Sequence, residues 1–316
     1  MAENESPDLS IIILNFNVRD LLLKCLDSIF KNKKVSDKWQ IIVVDNASSD
    51  GSVEAVKEKY KIASSPASPD PRNDNVELIA SKSNLGFAAG NNKAIPKIKA
   101  PVVLFLNPDT EIVGDAINKS LKFLKSNPDI GALTCRVELP DGRLDYSCHR
   151  GFPTPWNAFC YFSGLSKLFP KWSLFSGYTA SHLDIRTTHE IDCLTGAFLM
   201  VRKIAGDQIN WWDEDYFFNG EDIEFCYNLK EKGWKVYYFA DAKIIHYKGS
   251  STGIKKTSAF KVDKSRKLKV VGFATSAMRI FYMKHYFKKY PPLLRNLVLL
   301  GIKFLEHFRK VKVMVS

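Results

Sequence analysis

Apolar residues fall in short unbroken blocks that alternate with stretches of helical period. Residues 9–14 (Leu-Ser-Ile-Ile-Ile-Leu) are almost continuously apolar, the pattern of a strand covered on both faces. Asn15-Phe16-Asn17 interrupts the run, and residues 20–30 carry Leu22, Cys25, Leu26 and Ile29 at i, i+3, i+4, i+7, one face of a helix. Residues 40–44 predict a second strand, followed by the polar turn Asp45-Asn46-Ala47-Ser48-Ser49-Asp50-Gly51 and a helix with Val53, Val56 and Tyr60 inward. Residues 63–75, rich in Ser, Pro and Asp without periodicity, read as a loop. The pattern then predicts a strand over 76–80, a helix over 90–99, a strand over 102–106, a helix over 115–126 and a strand over 130–135. Strands joined by helical crossovers imply an α/β fold, a mostly parallel central sheet with helices on both faces.

The second half is less regular. Residues 150–189 hold many aromatics and prolines without a clean period, which fits a binding region or small helices. Strands are predicted over 197–201, 235–239 and 243–246, and a helix over 222–232. No Gly/Ser-rich linker separates these segments, so residues 1–254 read as one continuous domain.

Composition narrows the class. At 316 residues and 45% apolar content the chain can bury a large core. Its six cysteines are scattered without a C-x-x-C pair, which argues against a disulfide framework or structural zinc and for reduced thiols. The opening Met1-Ala2-Glu3-Asn4-Glu5-Ser6 lacks the basic start and apolar stretch of a signal peptide, so a cytoplasmic protein is expected.

The net charge of +12 is unevenly spread. Residues 255–316 hold sixteen Lys/Arg against two acids, +14, while residues 1–254 hold thirty against thirty-two, −2. A near-neutral body with a basic appendage points to an anionic partner, a membrane surface or a nucleic acid. Within the appendage, residues 276–307 interleave Phe281, Tyr282, Leu293, Leu297 and Phe304 with Lys284, Lys288, Arg295 and Lys303. No window reaches the ~20 apolar residues of a spanning helix. Amphipathic C-terminal helices lying on an anionic leaflet are the expectation, with a helix packed on the body as the alternative.

Candidate chemistry sits at the strand ends. Asp45 closes the strand at Val43-Val44, and Asp109 follows Leu104-Phe105-Leu106 through Asn107-Pro108. In a parallel sheet these two carboxylates share the rim where ligands bind. Glu221-Asp222 opens a helix, where the dipole favours ionised acids. Each also has an ordinary explanation: a turn former at Asp45, an Asx turn at Asp109, first-turn acids at Glu221-Asp222.

Read together, Ser10-Ile11-Ile12-Ile13-Leu14-Asn15-Phe16-Asn17, Ile42-Val43-Val44-Asp45-Asn46-Ala47-Ser48-Ser49-Asp50-Gly51-Ser52, Asn84-Leu85-Gly86-Phe87-Ala88-Ala89-Gly90-Asn91-Asn92 and Leu106-Asn107-Pro108-Asp109-Thr110 follow one another as the motifs of family-2 glycosyltransferases do. Leu194-Thr195-Gly196-Ala197, Gly220-Glu221-Asp222-Ile223-Glu224 and Ile245-His246-Tyr247-Lys248-Gly249-Ser250-Ser251 continue the series, and the chain resembles the rhamnosyltransferase-like subgroup.

The resemblance implies a GT-A type Rossmann-like sandwich and an inverting, metal-dependent transfer from a nucleotide-sugar donor. Rhamnose from dTDP-rhamnose is the best guess, and the acceptor is expected to be a saccharide or lipid-linked precursor of a cell-surface polysaccharide. A nucleotide-binding half over about 9–135 and an acceptor-binding half over about 136–254 follow. Phe16, Asp45, Asn92 and Asn107 are then nucleotide contacts, Asp109 and His246 ligands of Mg2+ or Mn2+, Asp222 the catalytic base, and Gly196 and Glu221 acceptor-side residues. Phe16 and His246 read equally as core residues, and Gly196 as a tight turn. Asn107 stands where many relatives have Asp, leaving one full carboxylate for the metal. The implied setting is the inner face of the cell membrane, with no nucleic-acid partner. A catalytically silent nucleotide-sugar binding protein and a nucleic-acid-binding protein are the competing readings.

Overall fold

The computed structural model describes residues 6–60, 76–248 and 264–315. Four strands, Leu9–Asn15 (β1), Trp39–Asp45 (β2), Val76–Ala80 (β3) and Val102–Leu106 (β4), pair in parallel in the order β3-β2-β1-β4. The apolar blocks explain this: every residue of β2 and β4 is buried, as strands covered on both faces require. Helices Arg19–Asn32 (α1), Ser52–Lys59 (α2) and Phe87–Asn92 (α3) make the crossovers. Leu22, Cys25, Leu26 and Ile29 form the buried face of α1.

The sheet then becomes mixed. Thr110–Val113 (β5), Ala116–Ser126 (α4) and Ile130–Glu138 (β6) follow β4. Three short helices, Pro155–Phe162 (α5), Leu165–Leu168 (α6) and Ser173–Ser176 (α7), lead to His189–Glu190 (β7), Phe198–Arg202 (β8) and Lys203–Gln208 (α8). Glu221–Glu231 (α9), Lys235–His246 (β9), Lys264–His285 (α10) and Pro292–Val315 (α11) complete the chain. Beyond β4 the sheet order is β8-β6-β9-β5, with β7 also on β9. β8 runs antiparallel to both β4 and β6, whereas β6 and β9 are parallel. One large core lies on this sheet, where Phe105 meets Trp212 edge-on at 5.0 Å and Trp212 lies 4.7 Å from Phe225.

Some elements differ from the pattern. The helix expected over 90–99 begins at Phe87 and ends at Asn92, and only a 3-10 turn, Ile95–Lys97, follows. Pro96 lacks an N–H and disfavours helical backbone at Ile95. The strands expected over 235–239 and 243–246 are one strand, β9, with a register shift against β6 between Phe239 and Lys243. Most consequential is β5, which the apolar pattern does not predict. It pairs antiparallel with β9 and sets Thr110 opposite His246.

α10 packs on the body rather than standing apart. Ala277, Phe281, Tyr282 and Tyr286 are buried in one cluster with Tyr216 and Tyr227. His285 Nε2 lies 2.8 Å from Glu224 Oε2, and Lys284 forms ion pairs with Asp213 and Asp215. A second apolar cluster thus joins the C-terminal region to the body. α11 contributes no fully buried residue. Among the described residues no helix is long and apolar enough to cross a membrane. The loop expected over 63–75 and residues 249–251 of the last motif lie outside the described residues.

Candidate active site

The strand ends of the parallel half build the first corner. Asn15 Nδ2 donates to Asp45 Oδ1 at 2.9 Å, and the Ser48 N–H donates to Asp45 Oδ2 at 2.8 Å. Asn46 Nδ2 donates to Asn84 Oδ1 at 2.9 Å and to the Gly86 carbonyl at 3.0 Å, tying this turn to the loop before α3. Gly86 has φ +84, and a Cβ there would stand 2.4 Å from the Phe217 carbonyl oxygen, so only glycine fits. The Phe87 N–H uses that same carbonyl at 2.8 Å.

Two cavities adjoin at this rim. One, of about 230 Å³, is lined by Phe16, Asn84, Phe217 and Lys269 among others. The other, of about 640 Å³, reaches Arg150, Gly196, Glu221, Asp222 and His246. Phe87, Asn107, Asp109, Phe218 and Val270 line both. Phe16 is half-buried and faces the smaller cavity.

Asp45 and Asn92 reach neither wall. Asp45 is 2% exposed, with one hydrogen bond to each carboxylate oxygen, and so organises its turn. Asn92 Nδ2 donates to the Trp212 carbonyl at 2.9 Å and to Glu214 Oε1 at 2.8 Å, and its Oδ1 accepts from the Trp212 N–H. It fastens α3 to the segment before α9. Tertiary hydrogen bonds thus fix both side chains beside the cavities rather than in their walls.

At the junction of the cavities, His246 Nε2 lies 3.2 Å from Asp109 Oδ1, and His246 Nδ1 lies 3.0 Å from Asp145 Oδ2. Lys248 Nζ donates to Asp145 Oδ1 at 2.7 Å, as does Ser147 Oγ at 2.8 Å. Burial opposes a charge on His246, but hydrogen bonds to the two carboxylates outweigh it and raise the imidazole to about 9. Burial likewise works against ionised Asp145, yet His246 and Lys248 hold its carboxyl well below the usual range. Among the described residues no group of three or more His, Cys, Asp or Glu side chains converges on a metal position. Asp109 and His246 present one carboxylate and one imidazole to the same cavity, with Asn107 beside them. That donor set suits a hard divalent cation if diphosphate oxygens and water supply the remaining positions. Asp145 would then orient the imidazole from behind.

The opposite corner is the start of α9. Asn219 (φ 68) and Gly220 (φ 90) are consecutive left-handed residues that swing Glu221 and Asp222 towards the larger cavity. Arg150 Nη2 donates to Asp222 Oδ2 at 2.7 Å and to the Leu194 carbonyl at 3.1 Å, while its Nε donates to the Ser147 carbonyl at 2.8 Å. Burial disfavours the guanidinium charge, but Asp222 reverses that and raises Arg150 above its ordinary value. Burial, then the charge of Asp222, pushes Glu221 up to about 8, and its Oε2 has no hydrogen-bond partner. A Cβ on Gly196 would lie 2.9 Å from the Phe87 ring, so the glycine lets this wall close. Asp145, Lys248 and Arg150 were not singled out from the sequence. They arrive through the isolated bridges Glu138↔Leu144 and Arg150↔Cys193 and through the end of β9, none with a local period.

A family model described as glycosyl transferase family 2 matches residues 10–184. The chain is similar to an N-acetylglucosaminyl-diphospho-decaprenol L-rhamnosyltransferase of Mycobacterium tuberculosis (strain CDC 1551 / Oshkosh), 26% identical over 67% of this chain and 68% of the relative. It is 28% identical to rhamnosyltransferase WbbL of Escherichia coli (strain K12) over 51% of this chain and 61% of that one. Among solved structures, mannosyltransferase PcManGT from Pyrobaculum calidifontis in complex with GDP-Man and Mn2+ shares the fold. Its TM-score is 0.57 at 14% identity, covering 99% of this chain and 74% of that chain.

Proposed function

This chain belongs to glycosyl transferase family 2 and has the GT-A fold, and from that premise we propose that it inverts one sugar at a time from a nucleoside diphosphate onto a saccharide or lipid-linked acceptor. Supporting this most is a single piece of geometry. Two cavities meet at Asn107-Pro108-Asp109, with an aromatic face, Phe16, along one and a carboxylate, Asp222, along the other. Such a layout suits a donor laid across the junction with its base against Phe16 and its sugar towards Asp222.

Asp109 and His246, the latter as neutral imidazole, would hold Mg2+ or Mn2+, with Asn107 contributing a neutral oxygen. Bound there, the ion would offset charge on the departing diphosphate. Asp222 accepts the proton of the acceptor hydroxyl as that oxygen bonds to the anomeric carbon and the bond to the diphosphate breaks on the opposite face. Arg150 fixes the carboxylate against rotation. Glu221, raised to about 8, is mainly neutral at pH 7 and so is the poorer acceptor of a proton. The names of the two rhamnosyltransferase relatives support rhamnose as the sugar and, in one, a lipid-linked acceptor; dTDP-rhamnose as donor and cell-surface polysaccharide synthesis as setting complete the proposal. The basic region 255–316 would keep the enzyme at the inner membrane face.

A panel of nucleotide-sugars with and without EDTA, read by thermal shift, tests this. Stabilisation by dTDP-rhamnose that EDTA abolishes is expected; an equal response to UDP-glucose would sink the rhamnose assignment. Asp222→Asn should retain the donor shift and lose roughly 10²–10⁴ in turnover. Transfer that survives that change would remove Asp222 from the role of base.

A further inference from the structure

Two exposed apolar faces flank the acceptor cavity. The first is the α5–α7 segment, where Trp156, Phe159, Phe162, Leu168, Trp172 and Leu174 are all exposed. These side chains support one another: Phe169 stacks on Trp172 at 5.4 Å, and Trp156 Nε1 donates to the Leu174 carbonyl at 2.8 Å. The second is α11, where Leu293, Leu297, Leu300, Phe304, Phe308 and Val311 are exposed. Their spacing of 4, 3, 4, 4 and 3 residues makes one stripe along a 24-residue helix. Tyr161 and Phe162 of α5 and Val298, Ile302 and Arg309 of α11 line the same 640 Å³ cavity. The two segments therefore border one cavity, α11 through the side of the helix that turns away from its exposed stripe.

Charge says what covers them. Residues 155–183 contain no Asp or Glu but hold the exposed Lys167 and Lys171. In α11 the one acid, Glu306, is paired with Lys310 at 2.5 Å, against Arg295, Lys303, Arg309, Lys310 and Lys312. Docking a second copy here would set like charges against each other. Exposed Trp, Phe and Leu ringed by lysines suit the boundary between anionic headgroups and acyl chains. Neither face is long and apolar enough to enter the bilayer core as a spanning helix.

We propose that the α5–α7 face is a second membrane foot, so that it and the exposed stripe of α11 seat the chain on an anionic bilayer. This rests on the membrane placement given above and adds to it a surface in the middle of the chain.

The test uses the full chain. All six native cysteines are buried, so an environment-sensitive dye can be attached selectively at Leu168→Cys, at Phe304→Cys, and at Lys57→Cys on α2 as control. With phosphatidylglycerol-containing vesicles, dyes at 168 and 304 should both blue-shift and be quenched by brominated lipid, while the dye at 57 should not respond. The double variant Trp172→Ser, Leu174→Ser should bind those vesicles about tenfold more weakly, with its donor-induced thermal shift unchanged. A response at 304 with silence at 168 overturns the second foot and leaves the tail placement intact. Silence at both overturns the membrane placement as well. A dimer that forms through these faces and persists with vesicles present also overturns it. Donor stabilisation, read separately, reports on the transferase assignment alone.

Discussion

Glu221 and Asp222 are neighbours whose surroundings differ sharply. Asp222 is paired with Arg150, whereas Glu221 is buried with one carboxyl oxygen unpartnered. Burial first and the Asp222 charge second raise Glu221 from 4.5 to about 8. Between those values the unfolded chain has released a proton that the folded chain retains, so stability falls as pH rises through this window. Glu221→Gln should flatten that fall: the wild type should lose melting temperature between pH 5 and pH 8, and the variant should lose much less. Equal slopes in calorimetry would mean that Glu221 is not held neutral. At the other corner, His246→Ala should abolish metal-dependent donor stabilisation, because of the proposed set only Asp109 and the neutral oxygen of Asn107 would be left. Asp145→Asn should weaken it about 10–100-fold in a Mn2+ titration, since Asp145 orients the imidazole without touching the ion. Unchanged metal dependence in both variants would refute the Asp109–His246 site.

At the scale of elements, the site depends on where backbones are forced together. β5 brings Asp109 beside His246, and Gly86 lets the segment before α9 press against the start of α3. Gly86→Ala should cost about 1–3 kcal/mol in chemical denaturation and reduce the donor shift. Gly142→Ala is the control, because Gly142 has φ +79 but nothing within 4 Å of its Cβ. If both variants behave alike, backbone strain and not the Phe217 contact is responsible. These same elements mark the limit of what the chain reveals before folding. β1 to β4 and α1 are legible because a doubly covered strand and a one-faced helix write their burial into local periodicity. β5 is not, since its four residues bury only alternate positions and its partner lies over 130 residues away. Asp109, Asp222 and His246 are legible from motif order, whereas Arg150 and Asp145 reach them only through long-range pairing. Asp45 and Asn92 stand in the right motifs, yet what they bond to is decided by segments remote in sequence.

On the scale of the whole molecule, the described part of the basic C-terminal region comprises two helices that differ in burial. α10 completes the body: Phe281 and Tyr282, with Tyr286 just after the helix, cover Tyr216 and Tyr227, and Gly220 before α9 sits where a Cβ would meet Ala277 at 2.9 Å. Ending the chain near Gly272 would strip this cover, leave Glu224 without His285 and uncover aromatic side chains that each bury on the order of 150–250 Å². That deletion should lose donor binding together with membrane retention, through a damaged body. α11 offers the informative cut. It has no fully buried residue, so ending the chain after Tyr290 should leave the donor-induced thermal shift in place while retention on anionic vesicles falls. Because Val298, Ile302 and Arg309 line the acceptor cavity, transfer to a lipid-linked acceptor should fall further than donor hydrolysis does. If the shortened chain no longer binds donor, α11 is structural and the membrane role passes to α5–α7 alone; if it retains full vesicle binding and transfer, α11 has neither duty.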